Sequence, residues 1–375
     1  MKAVIAIDSF KGSLTSREAG EAVRLGLLRA IPDAEAVICE IADGGEGTAK
    51  VLAEVLGCEI KEICVTGPLG NKVMASYGID RESRLAVMEM SSAAGLTLIP
   101  QEMRDPMKTT TYGVGEMIAD AVGEGCRNFI IGIGGSATND GGVGMLSALG
   151  FRFLDKNGEA IPTGAQGLDR LVCIEDQNAL SGLSGCKFSI ACDVTNPLCG
   201  ENGCSAVFAP QKGARDEDIA KMDKWLADYA TLTKNVVSTA DENAPGAGAA
   251  GGLGFAFASY LGGELERGID LILKATGFEE AVQRADIVIT GEGKIDSQTF
   301  MGKALAGVAK IAKKYGKPVI AFCGILGEGA ENCHEAGIDR CIEVDRGDLT
   351  VTEAMKAEKA FDYLAGTTEK IFYEI

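Results

Sequence analysis

The chain has 375 residues, which suits two domains or one large one. Its 36 basic and 54 acidic residues leave a net charge of −18, a surface that repels nucleic acid and anionic membranes. No apolar run approaches the roughly 18 residues that a membrane-spanning helix needs, so no membrane partner is expected.

The first element is a strand over residues 3–7. Its acid at Asp8 comes too early for a signal peptide. Thr15-Ser-Arg-Glu18 has the form of a capping box, and Ala19, Val23, Leu27 and Ala30 recur at helical spacing until Pro32. A second strand is expected over 36–41. A helix follows Ala42-Asp-Gly-Gly-Glu-Gly-Thr48 and stops at Gly57. Such β-α-β-α order implies a parallel sheet with crossover helices.

The rhythm changes near residue 60. Segments 60–66, 72–79 and 85–90 read as an antiparallel meander with turns at Gly67-Pro-Leu-Gly70 and Asp80-Arg-Glu-Ser83. Short apolar strands recur at 129–132 and 188–192. The β-α rhythm returns at the far end, with strands at 286–290, 319–323 and 341–344 and a helix over 303–315. The expected fold class is α/β. A doubly wound, Rossmann-like parallel-sheet domain is formed by both chain ends, 1–66 and 284–375, and a mixed α/β domain over 67–283 is inserted between them. The glycine run from Asn243 to Gly254 reads as a tight backbone segment at a helix start or domain crossing rather than a linker, because it lacks the serines and charges of a typical linker and runs straight into Phe255-Ala-Phe.

Twelve cysteines occur without a C-x-x-C pair and mostly in apolar contexts, so buried, reduced thiols and a cytoplasmic location are expected. With His334 as the one histidine, zinc and Ser-His-Asp chemistry are disfavoured.

Five loops combine Gly with Asp, Ser/Thr, Lys or Asn after an apolar strand: those beginning at Asp8, Asp43, Gly132, Asp193 and Gly291. In open α/β sheets, ligands bind beyond the carboxyl ends of strands, where such loops converge. The set suits phosphoryl transfer. Backbone N–H groups cradle phosphate, lysines offset its charge, carboxylates hold Mg²⁺, and one acid activates the attacking hydroxyl. No Walker sequence is present. A competing pattern is Gly132-Ile-Gly-Gly-Ser-Ala137, a G-x-G-x-x-A match with Asp155 lying 23 residues beyond Gly132. It leaves an NAD(P)-dependent oxidoreductase acting on a small hydroxy acid as the alternative.

At these residues the chain resembles the type I glycerate kinase family. The matching stretches are Asp8-Ser-Phe-Lys-Gly-Ser-Leu14, Ala42-Asp-Gly-Gly-Glu-Gly-Thr48, Gly132-Ile-Gly-Gly-Ser-Ala-Thr-Asn-Asp-Gly-Gly142, Asp193-Val-Thr-Asn-Pro-Leu198, Pro210-Gln-Lys-Gly-Ala214 and Thr290-Gly-Glu-Gly-Lys-Ile-Asp-Ser-Gln-Thr299. Ala209 stands where the family commonly has Gly, and Leu305 where it commonly has Pro. Neither change removes a charged or nucleophilic group.

The resemblance implies ATP- and Mg²⁺-dependent phosphorylation of D-glycerate at its 2-hydroxyl, in a cleft between two domains. A monomer or a homodimer is expected. Asp193, Asp296 and Lys11 are the catalytic candidates, with Asp193 and Asp296 also the candidates for Mg²⁺. Gly134, Gly135, Ser136, Thr138 and Lys212 are expected to hold phosphate or nucleotide. Asp8, Asp43 and Lys303 are expected on the substrate side.

Overall fold

The computed structural model describes residues 1–41, 48–297, 299 and 304–374. The chain divides into two compact units, Met1–Gly44 with Ile269–Ile375 and Gly45–Gly268.

The first unit is built on a five-stranded parallel sheet. Its order is Arg340–Glu343, Val319–Leu326, Ile287–Ile295, Lys2–Ile7, Glu35–Ile38. The central strands are apolar on both faces because helices cover them. Ile5, Ile289 and Phe322 are fully buried. The expected capping box opens the helix Ser16–Ala30: Thr15 Oγ1 accepts from Glu18 N at 3.2 Å, and Glu18 Oε2 accepts from Thr15 N at 2.8 Å. This helix packs tightly on Ala357–Tyr373, since a Cβ on Gly26 would stand 2.2 Å from Ala365 O.

One element differs from the sequence reading. Gly291-Glu-Gly-Lys-Ile is not a loop after a strand ending at Thr290. The strand continues to Ile295, with Gly291 paired beside Phe322 and Ile295 beside Leu326. Gly291 allows close approach between neighbouring strands rather than a turn: its Cβ would lie 2.3 Å from Phe322 O.

The second unit is built on a six-stranded sheet in the order Glu264–Glu266, Lys187–Ala191, Asn128–Gly132, Leu85–Glu89, Lys72–Asp80, Glu59–Thr66. The first four strands run parallel and the last three form the expected antiparallel meander. Its core gathers aromatic side chains, among them Phe129 stacked on Phe188 at 4.8 Å. The unit boundaries fall at 44/45 and 268/269, not at 66/67 and 283/284. Glu59–Thr66 is held by its ladder to Lys72–Asp80, so it belongs with the second sheet.

The glycine run near 250 is a backbone crossing at a helix start, as its composition suggests. Ala250, Gly251 and Gly252 have φ of 52°, 66° and 92°. Gly251 O accepts from Gly141 N at 2.9 Å, and a Cβ on Gly251 would lie 2.1 Å from Thr138 O. Gly251→Ala is therefore expected to destabilise the fold by about 2–4 kcal/mol. Gly366→Ala is the contrast. Gly366 lies within the helix Ala357–Tyr373, with nothing within 4 Å of an added Cβ. That change is expected to stabilise by about 0.5–1 kcal/mol. Denaturant unfolding of the two variants checks both signs.

Candidate active site

In the second unit, the strand Asn128–Gly132 empties into a loop that runs to Gly142 before the helix Val143–Ala148 begins. Gly132 itself touches the Glu89 side chain of the neighbouring strand, since a Cβ there would meet its Oε2 at 2.4 Å. Gly134 and Gly135 are exposed, with Gly135 at φ 70°. Ser136 and Thr138 turn inward.

Lys212 reaches the inner side of this loop. It closes a short 3-10 turn, Pro210–Lys212, whose cap Gly213 has φ 92°. Lys212 is only 2% exposed, and its Nζ donates to Ser136 Oγ and Thr138 O, both at 2.7 Å. The third N–H has no protein partner among the described residues. Burial pushes this ammonium from an ordinary 10.5 down to about 8, and Coulombic interaction with the neighbouring Cys204 and Asp140 opposes that fall.

The pH signs for activity and stability are opposite. Above pH 8 the folded state sheds a proton that the unfolded chain keeps up to 10.5, so this group's contribution to stability rises across that window. An anion held by the charged form binds less well over the same range. The expected pH profile of kcat/KM has an alkaline limb near pH 8, and the limb disappears in Lys212→Met.

Asp140 braces the loop. Its carboxylate is fully buried and accepts from Thr111 N at 2.8 Å, Thr111 Oγ1 at 2.9 Å, Gly142 N at 3.2 Å and Gly144 N at 3.3 Å. Burial raises its pKa and these hydrogen bonds oppose that rise. The acid in the motif's tail thus ties the starts of Tyr112–Gly123 and Val143–Ala148 to the loop. Sequence reasoning did not give it this part, because Thr111 lies far away in the chain.

The dinucleotide pattern fails on the same ground. A long loop, not a helix, follows Gly132. Asp155 follows a strand, Arg152–Leu154, that pairs with Cys173–Glu175 in a separate two-stranded sheet. Its carboxylate accepts from Asn157 N at 2.8 Å and Glu159 N at 3.1 Å, which is turn chemistry.

Asp193 follows the strand Lys187–Ala191, beside the 132–142 loop at the carboxyl edge of the same sheet. Its Oδ1 accepts from Gly268 N at 3.0 Å.

In the first unit, a cavity of about 380 Å³ opens beyond the carboxyl ends of Lys2–Ile7, Ile287–Ile295 and Val319–Leu326. Asp8, Lys11 and Asp296 all line it, joined by Glu292, Lys294 and Arg346, which the sequence did not single out. Asp8 is buried at 4% exposure. Lys11 sits at the tip of a tight turn closed by Phe10 N to Leu14 O at 2.9 Å and Leu14 N to Phe10 O at 3.0 Å. Lys294 Nζ pairs with Asp296 Oδ2 at 2.9 Å. Asp43 and Lys303 lie outside the described residues.

The structure therefore sorts the candidates into two groups. Gly134, Gly135, Ser136, Thr138, Lys212 and Asp193 gather at the edge of one sheet, and Asp8, Lys11 and Asp296 at the edge of the other. Among the described residues, no three His, Cys, Asp or Glu side chains are placed to hold a metal ion. A cation at the first-unit acids would then be held by one or two carboxylates, with phosphate oxygens and water completing its shell. That is the usual manner for Mg²⁺ at phosphates.

One α/β unit presents a buried lysine beside a glycine-rich loop, and the other a cavity lined by both acids and cations. The chain belongs to the glycerate kinase family, whose model matches residues 3–375. It is 45% identical over 372 residues to the glycerate 2-kinase of Escherichia coli K12, covering 99% of this chain and 97% of that one. It is 46% identical over 353 residues to the glycerate kinase of Halalkalibacterium halodurans, covering 94% and 93%. A crystal structure from Salmonella typhimurium LT2, assigned as glycerate kinase 2, superimposes with a TM-score of 0.89 at 43% identity and covers 100% of this chain and 98% of that chain.

Proposed function

We propose that the chain transfers the γ-phosphoryl group of ATP to the 2-hydroxyl of D-glycerate with Mg²⁺. The observation that carries this reading is the 45% identity, across nearly the full length of both chains, with a relative named glycerate 2-kinase. The site chemistry supports it. Lys212 offers a buried ammonium with an N–H to spare beside exposed backbone at Gly134 and Gly135, a cradle for a carboxylate or phosphate oxygen. Ser136 and Thr138 fix that ammonium in place. Lys11 carries a second positive charge toward phosphate in the first-unit cavity, with Asp8 beside it.

Asp193 is the candidate for accepting the proton of the attacking hydroxyl, and Asp296, with Asp8, for holding Mg²⁺. When bound, the metal neutralises charge on the phosphate oxygens. The roles of Asp43 and Lys303 on the substrate side rest on the family motif alone.

The finer architecture belongs to the same reading. In the first sheet the chain order reverses between Lys2–Ile7 and Ile287–Ile295, which supports a doubly wound domain into which the second unit is inserted. All twelve cysteines are free thiols, which supports a reducing, cytoplasmic location. No helix among the described residues is long and apolar enough to cross a membrane.

The direct test is ADP release from MgATP. It is expected only when D-glycerate is added. Release that ignores D-glycerate, or absorbance change with NAD(P)H and a 2-oxo acid, would overturn the reading.

A further inference from the structure

The first-unit cavity has two chemically different sides. One carries the acids and cations at the strand ends. The other is apolar and is made largely by residues that no motif includes. Thr350 caps a one-turn helix, Val351–Ala354, through a capping box with Glu353. Val351, Ala354 and Met355 fall three or four residues apart on one face of that turn and line the cavity. Val351 and Met355 remain 38% and 41% exposed, large apolar side chains left uncovered at a cavity wall. Phe10 and Tyr363 continue the wall.

Glycerate has three carbons and four oxygens and no apolar surface to match such a wall. A nucleoside has a flat base that does. The volume of about 380 Å³ also exceeds what glycerate needs.

The geometry points to this cavity as the site of the nucleoside end of the nucleotide, with the base against Val351, Ala354 and Met355. The inference rests on the kinase reading for its choice of a nucleotide. It departs from the expectation that the nucleotide lies at the 132–142 loop, and leaves the Lys212 cradle for the substrate carboxylate. Three observations carry it. The cavity lies beyond the carboxyl ends of parallel strands where the chain order reverses, the usual place for a nucleotide in open α/β sheets. Backbone can approach a ligand closely at Gly293 and Gly324, which line it. The Ser13 hydroxyl also lines it and is buried with no hydrogen-bond partner among the described residues.

The test is calorimetric titration of the full chain with MgADP, with magnesium tripolyphosphate and with D-glycerate. Ala354→Trp fills the cavity and is expected to weaken MgADP by at least about tenfold, while tripolyphosphate and D-glycerate stay within about twofold. Met355→Ser changes an exposed side chain that the fold does not need, and is expected to weaken MgADP about threefold. MgADP affinity unchanged in both variants overturns the inference. Weakening of tripolyphosphate to the same extent also overturns it, since the base would then not be what the wall holds. Failure of the activity reading looks different. The unaltered chain would bind MgADP, both variants would weaken it, and no D-glycerate-dependent turnover would appear.

Discussion

Lys212→Met is expected to lower kcat/KM for D-glycerate by about 10²–10³ while leaving the thermal midpoint unchanged or a few degrees higher. The two halves of this result come from one feature. The ammonium is buried in a setting that disfavours its charge, which is why its pKa falls to about 8. A methionine of similar length keeps most of the lysine's apolar stem and removes its charge. Removing the charge returns its desolvation cost, and losing the bonds to Ser136 Oγ and Thr138 O offsets part of that gain. A structural lysine would behave differently: its loss would lower stability and activity together. Separation of the two, read by thermal unfolding beside steady-state kinetics, marks Lys212 as retained for a ligand at some expense to the fold.

Asp193→Asn and Asp296→Asn are each expected to lower kcat by at least about a hundredfold. In Asp193→Asn the amide keeps an oxygen to accept the Gly268 N–H, now held by Asp193 at 3.0 Å. Asp296 pairs with a largely exposed Lys294, and a surface ion pair of this kind contributes about 0–1 kcal/mol. The variants should differ in a second readout. Loss of a metal ligand raises the Mg²⁺ concentration needed for half-maximal rate, which is the expectation for Asp296→Asn. Loss of a base alters the acid limb of the pH profile at saturating Mg²⁺, which is the expectation for Asp193→Asn. Full activity in both variants would remove these residues from the chemistry.

Much of the fold was legible because local signals agreed with one another. The capping box at Thr15, the helical spacing to Ala30 and the short apolar strands at both chain ends all point to a parallel α/β unit, and that is what forms. The errors arose where a residue type has two physical uses. Glycine at 291 and 293 signalled a loop, yet Gly291 serves close strand packing within a longer strand. Boundary placement failed because strand membership is a pairing property, and nothing in Glu59–Thr66 itself says which sheet it joins.

The candidate site was legible in type but not in arrangement. Lys11 and Lys212 look alike in sequence, both in small-residue turns. The structure leaves one exposed at a turn tip and buries the other at 2% exposure. Asp140 looked like part of a phosphate loop and instead anchors two helix starts through Thr111. The apolar wall at Val351 to Met355 had no signature, because one turn of helix is too short to show a period.

Transfer of phosphate from ATP to the 2-hydroxyl of D-glycerate is read directly from its product. The most direct measurement incubates the protein with MgATP and D-glycerate, adds enolase free of phosphoglycerate mutase, and follows phosphoenolpyruvate. Phosphoenolpyruvate is expected at once, in step with ADP, because 2-phosphoglycerate is enolase's substrate. ADP release without phosphoenolpyruvate, with product appearing only after mutase is added, would place the phosphate on the 3-hydroxyl and contradict it.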